Sequence, residues 1–128
     1  MSVIVSAQID LAAEAAAPAV VYVALPPTNT GFRVIGGRAS IKVGNPDDAK
    51  VISVYHRTGV TDILLGTFTT GSSADAGDTI EYVKNTTGDA DRTIVSPATD
   101  KLKLSAVAMG AACTFNIDLT LDEMARIY

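Results

Sequence analysis

The chain has 128 residues, and its 10 basic residues, outnumbered by 14 acidic ones for a net charge of −4, are scattered singly. Nucleic-acid binding needs cations gathered against phosphate, so the composition argues against that class. A hydrophobic fraction of 48 % argues against disorder for the body of the chain, and the length suits one domain able to bury its own core.

No basic n-region precedes the apolar start at Met1, so no classical export signal is expected. Val3, Val5, Ala7, Ile9 and Leu11 alternate with Ser6, Gln8 and Asp10, a period of two that predicts a strand with one apolar face. Ala12 to Ala17, with Glu14 and closed by Pro18, is long enough for a turn or two of helix at most. Residues 1–18 therefore read as an N-terminal strand and alanine-rich arm, and 19–128 as a β-sandwich domain. Val20 to Leu25 is apolar at successive positions, as for a strand covered on both faces or packed on a subunit. The most apolar stretch, Ala15 to Leu25, is too short to cross a bilayer, so no membrane partner is expected.

Turn chemistry punctuates the remainder at intervals of around ten residues. Pro26 to Gly31 turns, and Phe32–Ile35 and Arg38–Val43 flank Gly36-Gly37, which predicts a bulge within one long strand. Gly44 to Asp48 turns again, Val51–Arg57 and Thr61–Thr69 are strands, and Thr70 to Gly77 is a polar loop. Thr79–Lys84 and Arg92–Val95 follow as strands. Leu102, Leu104, Ala106 and Ala108 alternate with Lys101, Lys103 and Ser105, and Phe115, Ile117, Leu119 and Leu121 with Asn116, Asp118, Thr120 and Asp122. Met109 to Ala112 between them predicts a hairpin. The expectation is an all-β, single-domain, two-sheet antiparallel sandwich of about eight strands, jelly-roll-like, with a short N-terminal helix or arm possible. An immunoglobulin-like sandwich is the alternative.

The residues that carry chemistry do not assemble into a site. His56, the one histidine, has no nucleophile motif beside it and reads as a surface residue at a strand end. Asp89 and Asp91, or Asp47 and Asp48, lack the spaced oxygen series that calcium needs, and aspartate beside glycine is favoured in turns for backbone reasons alone. Cys113, the single cysteine, reads as a buried structural thiol. Asn85-Thr86-Thr87 matches the glycosylation triplet but reads as a turn. Tyr22, Phe32, Tyr55, Phe68, Tyr82, Phe115 and Tyr128 fall mostly at core positions, which weighs against sugar stacking. No catalytic, cofactor-binding or metal-ligating residues are expected, and no cofactor.

Interface potential is what is left. A mean hydropathy of +0.28 is high for a small chain that should keep large apolar patches off its surface. Val3, Val5, Ile9, Leu11, Val21, Val23, Ile127 and Tyr128 are the candidate interface residues, to be covered by other copies in a homo-oligomer.

In style, the alanine-rich stretch Ile9 to Pro18, the bent strand Phe32 to Ile41 and the closing segments Lys101–Ser105 and Phe115–Leu121 resemble the small head-decoration (capsid-stabilising) proteins of tailed bacteriophages. The resemblance covers the whole chain without a signature motif. It implies a homotrimer made in the host cytoplasm and seated on the outer surface of a virion, bridging subunits of the major capsid protein. Met1 to Leu11 would serve as the contacting arm. A glycan- or receptor-binding module of a fibre or tail is the alternative function.

Overall fold

In a computed structural model of the chain, the residues described are 2–11, 19–25, 31–44, 51–70, 76–92, 94–96, 99–106 and 113–123. Among them nine strands are formed: β1 (Ser2–Leu11), β2 (Ala19–Val23), β3 (Phe32–Gly44), β4 (Val51–Thr58), β5 (Thr61–Thr69), β6 (Thr79–Glu81), β7 (Val83–Lys84), β8 (Asp100–Ala106) and β9 (Cys113–Glu123). They lie in two antiparallel sheets, one of order β1-β9-β3-β6 and one of order β2-β8-β4-β5-β7.

The pairing is nested. β1 pairs with β9, β2 with β8, β3 with β6, and β4 with β5. Successive rungs of this long folded ribbon fall alternately in opposite sheets, which is the jelly-roll arrangement. The alternating sequences supply the core. Val5, Ile9, Phe32, Val34, Ile41, Ile52, Val54, Phe68, Leu102, Leu104, Phe115, Ile117, Leu119 and Leu121 point between the sheets and are buried. Each of the large side chains contributes about 1.5–3 kcal/mol of transfer free energy.

Two local predictions are met. The β3–β9 register slips between Val34 and Gly36, leaving Ile35 as the extra residue of a bulge at the glycine pair. Thr58 pairs with Thr61 across a two-residue turn in which Gly59 takes φ 62°, a value costly for any residue with a Cβ.

Four expectations are corrected. β8 and β9 form no hairpin: they belong to opposite sheets, β9 between β1 and β3 and β8 between β2 and β4. Alternation shows which side chains are apolar together, and it reads the same whether two strands lie side by side or in opposite sheets. β2 is an edge strand with Val20 and Tyr22 turned outward and Val23 buried, so the described residues of its own chain do not cover both faces, and of the two readings packing on a subunit is the one left. Thr79–Lys84 divides at Tyr82, where the chain leaves one sheet as β6 and enters the other as β7. Thr87–Arg92 is a 3-10 turn, and Val95 makes only an isolated bridge to Phe32. The alanine-rich run at 12–17, the turns at 26–30 and 45–48, most of the 70–77 loop and the 109–112 connection lie outside the described residues.

Candidate functional site

Both outer faces of the sandwich follow from strand alternation, and they differ. On the β1-β9-β3-β6 sheet most outward positions are polar, Ile4 and Val43 excepted. Ser6, Asp118, Arg38 and Glu81 form one cross-strand row, and Gln8, Asn116, Ser40 and Thr79 form the next. The Ser6 hydroxyl donates to Asp118 Oδ1 at 2.5 Å, Arg38 Nε lies 3.7 Å from Glu81 Oε1, and Arg33 Nη2 lies 3.8 Å from Asp122 Oδ2. Ile4, 67 % exposed, stands at the free edge of this face beside Thr120. It lines a shallow depression with Gly37, Arg38, Glu81, Asp118 and Thr120.

The outer face of the β2-β8-β4-β5-β7 sheet gathers tyrosines and cations. Tyr22, Lys103 and Tyr55 share one row across β2, β8 and β4. Lys101 Nζ sits 5.2 Å from the centre of the Tyr22 ring, and Lys103 Nζ sits 5.7 Å from that of Tyr55, both within cation–π range. Asp62 joins the group from β5: its carboxylate accepts from Lys103 Nζ at 2.8 Å and from Arg57 Nη1 at 3.0 Å. The hydrogen bond from Lys103, helped by Arg57, holds the Asp62 carboxyl below its ordinary value. A second row runs Val20–Ser105–Ser53–Thr67–Val83, with exposed valines at its two ends. At one end of the sandwich Tyr22, Val23, Leu25, Thr99 and Lys101 line another shallow depression.

Of the candidate interface residues, Val5, Ile9 and Val23 lie in this chain's own core, and Val3 and Val21 pack against it half-buried. The physical reason is parity: the apolar face of β1 is the face the sandwich uses internally. Leu11 is paired with Cys113 in the sheet, whereas Ile127 and Tyr128 lie outside the described residues. β1 is a sheet strand over its whole length, not a detached arm. The apolar exterior is carried instead by Ile4, Val20, Tyr22, Val43 (58 % exposed), Val60 (88 %) and Val83 (63 %). No periodic signal marked these residues, since each is a hydrophobe at an outward or turn position and only the paired sheets show it. The Lys101/Lys103 alternation was legible, but that β5 would bring Asp62 to Lys103 was not.

His56 is a correction. It is 5 % exposed, not a surface residue, and its Nε2 lies 2.8 Å from Asp100 Oδ2. Burial pushes the Asp100 carboxyl up, but the Ser96 N–H, His56 and Thr58 outweigh it and leave the group below its ordinary value. The Asn85 side chain donates to the Leu64 carbonyl at 2.9 Å and its Oδ1 accepts from the Thr87 N–H at 3.2 Å, so it is a turn-forming residue. Cys113 is buried, and burial pushes its thiol up.

No protein-family model matches the chain, and no curated protein matches it significantly. Among solved structures, a chain from Desmodium yellow mottle tymovirus is similar at a TM-score of 0.35 and 16 % identity, covering 99 % of this chain and 90 % of that one.

Proposed function

We propose that the chain is a non-enzymatic structural protein of a virion, binding the outer surface of a phage capsid as a decoration protein that stabilises the shell. The observation that carries this reading is the apolar exterior of a sandwich whose interior is already filled. Ile4, Val43, Val60 and Val83 are each more than half exposed, although the core cluster is complete without them. Hydrophobes that act together on an outer surface mark contact with another protein, whereas single ones are ordinary, so the reading requires these side chains to share a contact. A protein that binds the assembled shell but not its separated subunits opposes disassembly by mass action, by about 2.7 kcal/mol per site at a hundred times Kd. Copies joined to one another add their contacts through effective concentration.

The test is co-sedimentation of the purified chain with phage capsids lacking their decoration, followed by thermal disruption of the pelleted shells. Saturable binding and a raised disruption temperature are expected, both weakened in a Val43→Ser/Val60→Ser variant that keeps its own Tm. A chain that stays in the supernatant at saturating concentration overturns the reading.

A second reading has its own observation. Tyr22 and Tyr55 share one outer face with Lys101, Arg57 and Asp62, a mixed aromatic and polar surface of the kind a glycan-binding or receptor-binding fibre module would use. Retardation on a glycan column that Tyr22→Ala abolishes, without capsid binding, would favour it.

A further inference from the structure

Four strands end the two sheets: β1 and β6 in one, β2 and β7 in the other. Three are short, with five residues in β2, three in β6 and two in β7. β1 is ten residues long and holds an unbroken register with β9 from Ser2–Asp122 to Leu11–Cys113. Its one charged side chain, Asp10, stands near its end, and it contains no lysine and no proline. An edge strand presents a row of N–H and C=O groups with which another extended strand can pair along its length. Proteins guard such edges with short length, lysine, proline or a bulge, and β1 has none of these.

We infer that β1 pairs antiparallel with β1 of a second copy, continuing the four-stranded sheet across a two-fold axis. The strand is complementary to itself. With the axis at Ser6, Val3 meets the copy's Ile9 and Val5 its Ala7 on the core face, while Ile4 meets Gln8 on the outer face. With the axis at Ala7, Val5 meets Ile9 on the core face, and Ile4 meets Asp10 and Ser6 meets Gln8 on the outer face. In both registers apolar faces apolar on the core side, and Asp10 never meets its own copy. Val3 and Ala7 are only half-buried at this edge, and a second β1 covers them. The contact is isologous, so it makes pairs where the resemblance alone implies trimers. It does not depend on shell binding.

The test uses the full chain in solution. Light scattering across a concentration series is expected to show mass rising from 13.2 kDa to twice that value. Single cysteines placed in turn at positions 4, 6, 7 and 8 are then mildly oxidised. Opposed Cα atoms of an antiparallel pair lie about 4.5–5.5 Å apart, within disulfide range. A cross-link is therefore expected at the axis, through Ser6→Cys or Ala7→Cys, and not through Ile4→Cys. Ser6→Lys/Gln8→Lys sets lysines opposite each other in either register, on positions that point to solvent, and should weaken the pair roughly ten-fold, with Tm unchanged at concentrations where the chain is monomeric. A monomer at every concentration, a dimer that cross-links at none of these positions, or a dimer untouched by the double lysine variant would each overturn the inference.

Discussion

His56 Nε2 and Asp100 Oδ2 lie 2.8 Å apart inside the sandwich, tying the end of β4 to the start of β8. An ionised carboxylate can only accept, so in that state of Asp100 the contact is a hydrogen bond donated by His56 Nε2. The same oxygen takes the Ser96 N–H at 3.0 Å, so one carboxylate fastens both the strand pair and the segment leading into it.

Asp100→Asn should cost about 1–3 kcal/mol at neutral pH, since buried partners lose a charged acceptor. Because its carboxyl is depressed in the folded state, the contribution is present above the ordinary value of 3.8 and is lost as pH falls through the lowered one. Urea midpoints measured from pH 7 down to pH 2 should therefore show an acid limb that is shallower in Asp100→Asn. An identical limb would remove the carboxylate from this role.

Positions of opposite parity in β1 should respond differently. Ile9→Ala empties fully buried space and should cost about 2–5 kcal/mol. Ile4→Ser, at a position two-thirds exposed, should stay within about 0.5 kcal/mol. Denaturant titration of the two variants, at a concentration where the chain is monomeric, checks the strand's parity.

Gly66 leaves room for the Tyr82 ring: a Cβ there would stand 2.2 Å from Cζ. The ring also packs on Phe68, centroids 5.4 Å apart, where the chain crosses between sheets. Gly66→Ala should therefore cost about 1–3 kcal/mol. Most of that loss should vanish when it is made in a Tyr82→Ala background, and a double-mutant cycle reads the coupling.

Asp62 should titrate below the ordinary carboxylate range in a carbon-detected NMR experiment, because Lys103 and Arg57 both donate to it. Lys103→Met should bring that titration back up, and raised salt should do so in part. A titration unmoved by Lys103→Met would show that the ion pair does not form in solution.

Cys113 should resist alkylation in the folded protein and react at once in denaturant, since burial both hides the thiol and disfavours the thiolate. A colorimetric thiol assay with and without guanidinium reads the difference.

Much of this molecule was legible from spacing alone. Period two marked the inner faces of β1, β8 and β9, because the pleat sends successive side chains to opposite sides whatever the strand pairs with. The Gly36-Gly37 bulge was legible because paired glycines inside an apolar run have little other use. What spacing could not carry was partnership. β8 and β9 were expected side by side and lie in opposite sheets; Thr79–Lys84 was expected whole and is split at Tyr82. His56 was expected outside and is buried on Asp100, 44 residues further along the chain.

The amino-acid sequence by itself determined that the chain forms strands and which side of β1, β8 and β9 is apolar, since both depend on near neighbours. Only the tertiary structure decided the nested order of the sheets, the tyrosine–lysine face, the hydrophobes left outside and the place of β1 at a sheet edge. Each of these requires residues far apart in the chain to meet. Nothing local distinguishes an apolar side chain that finds the core from one that is left facing water.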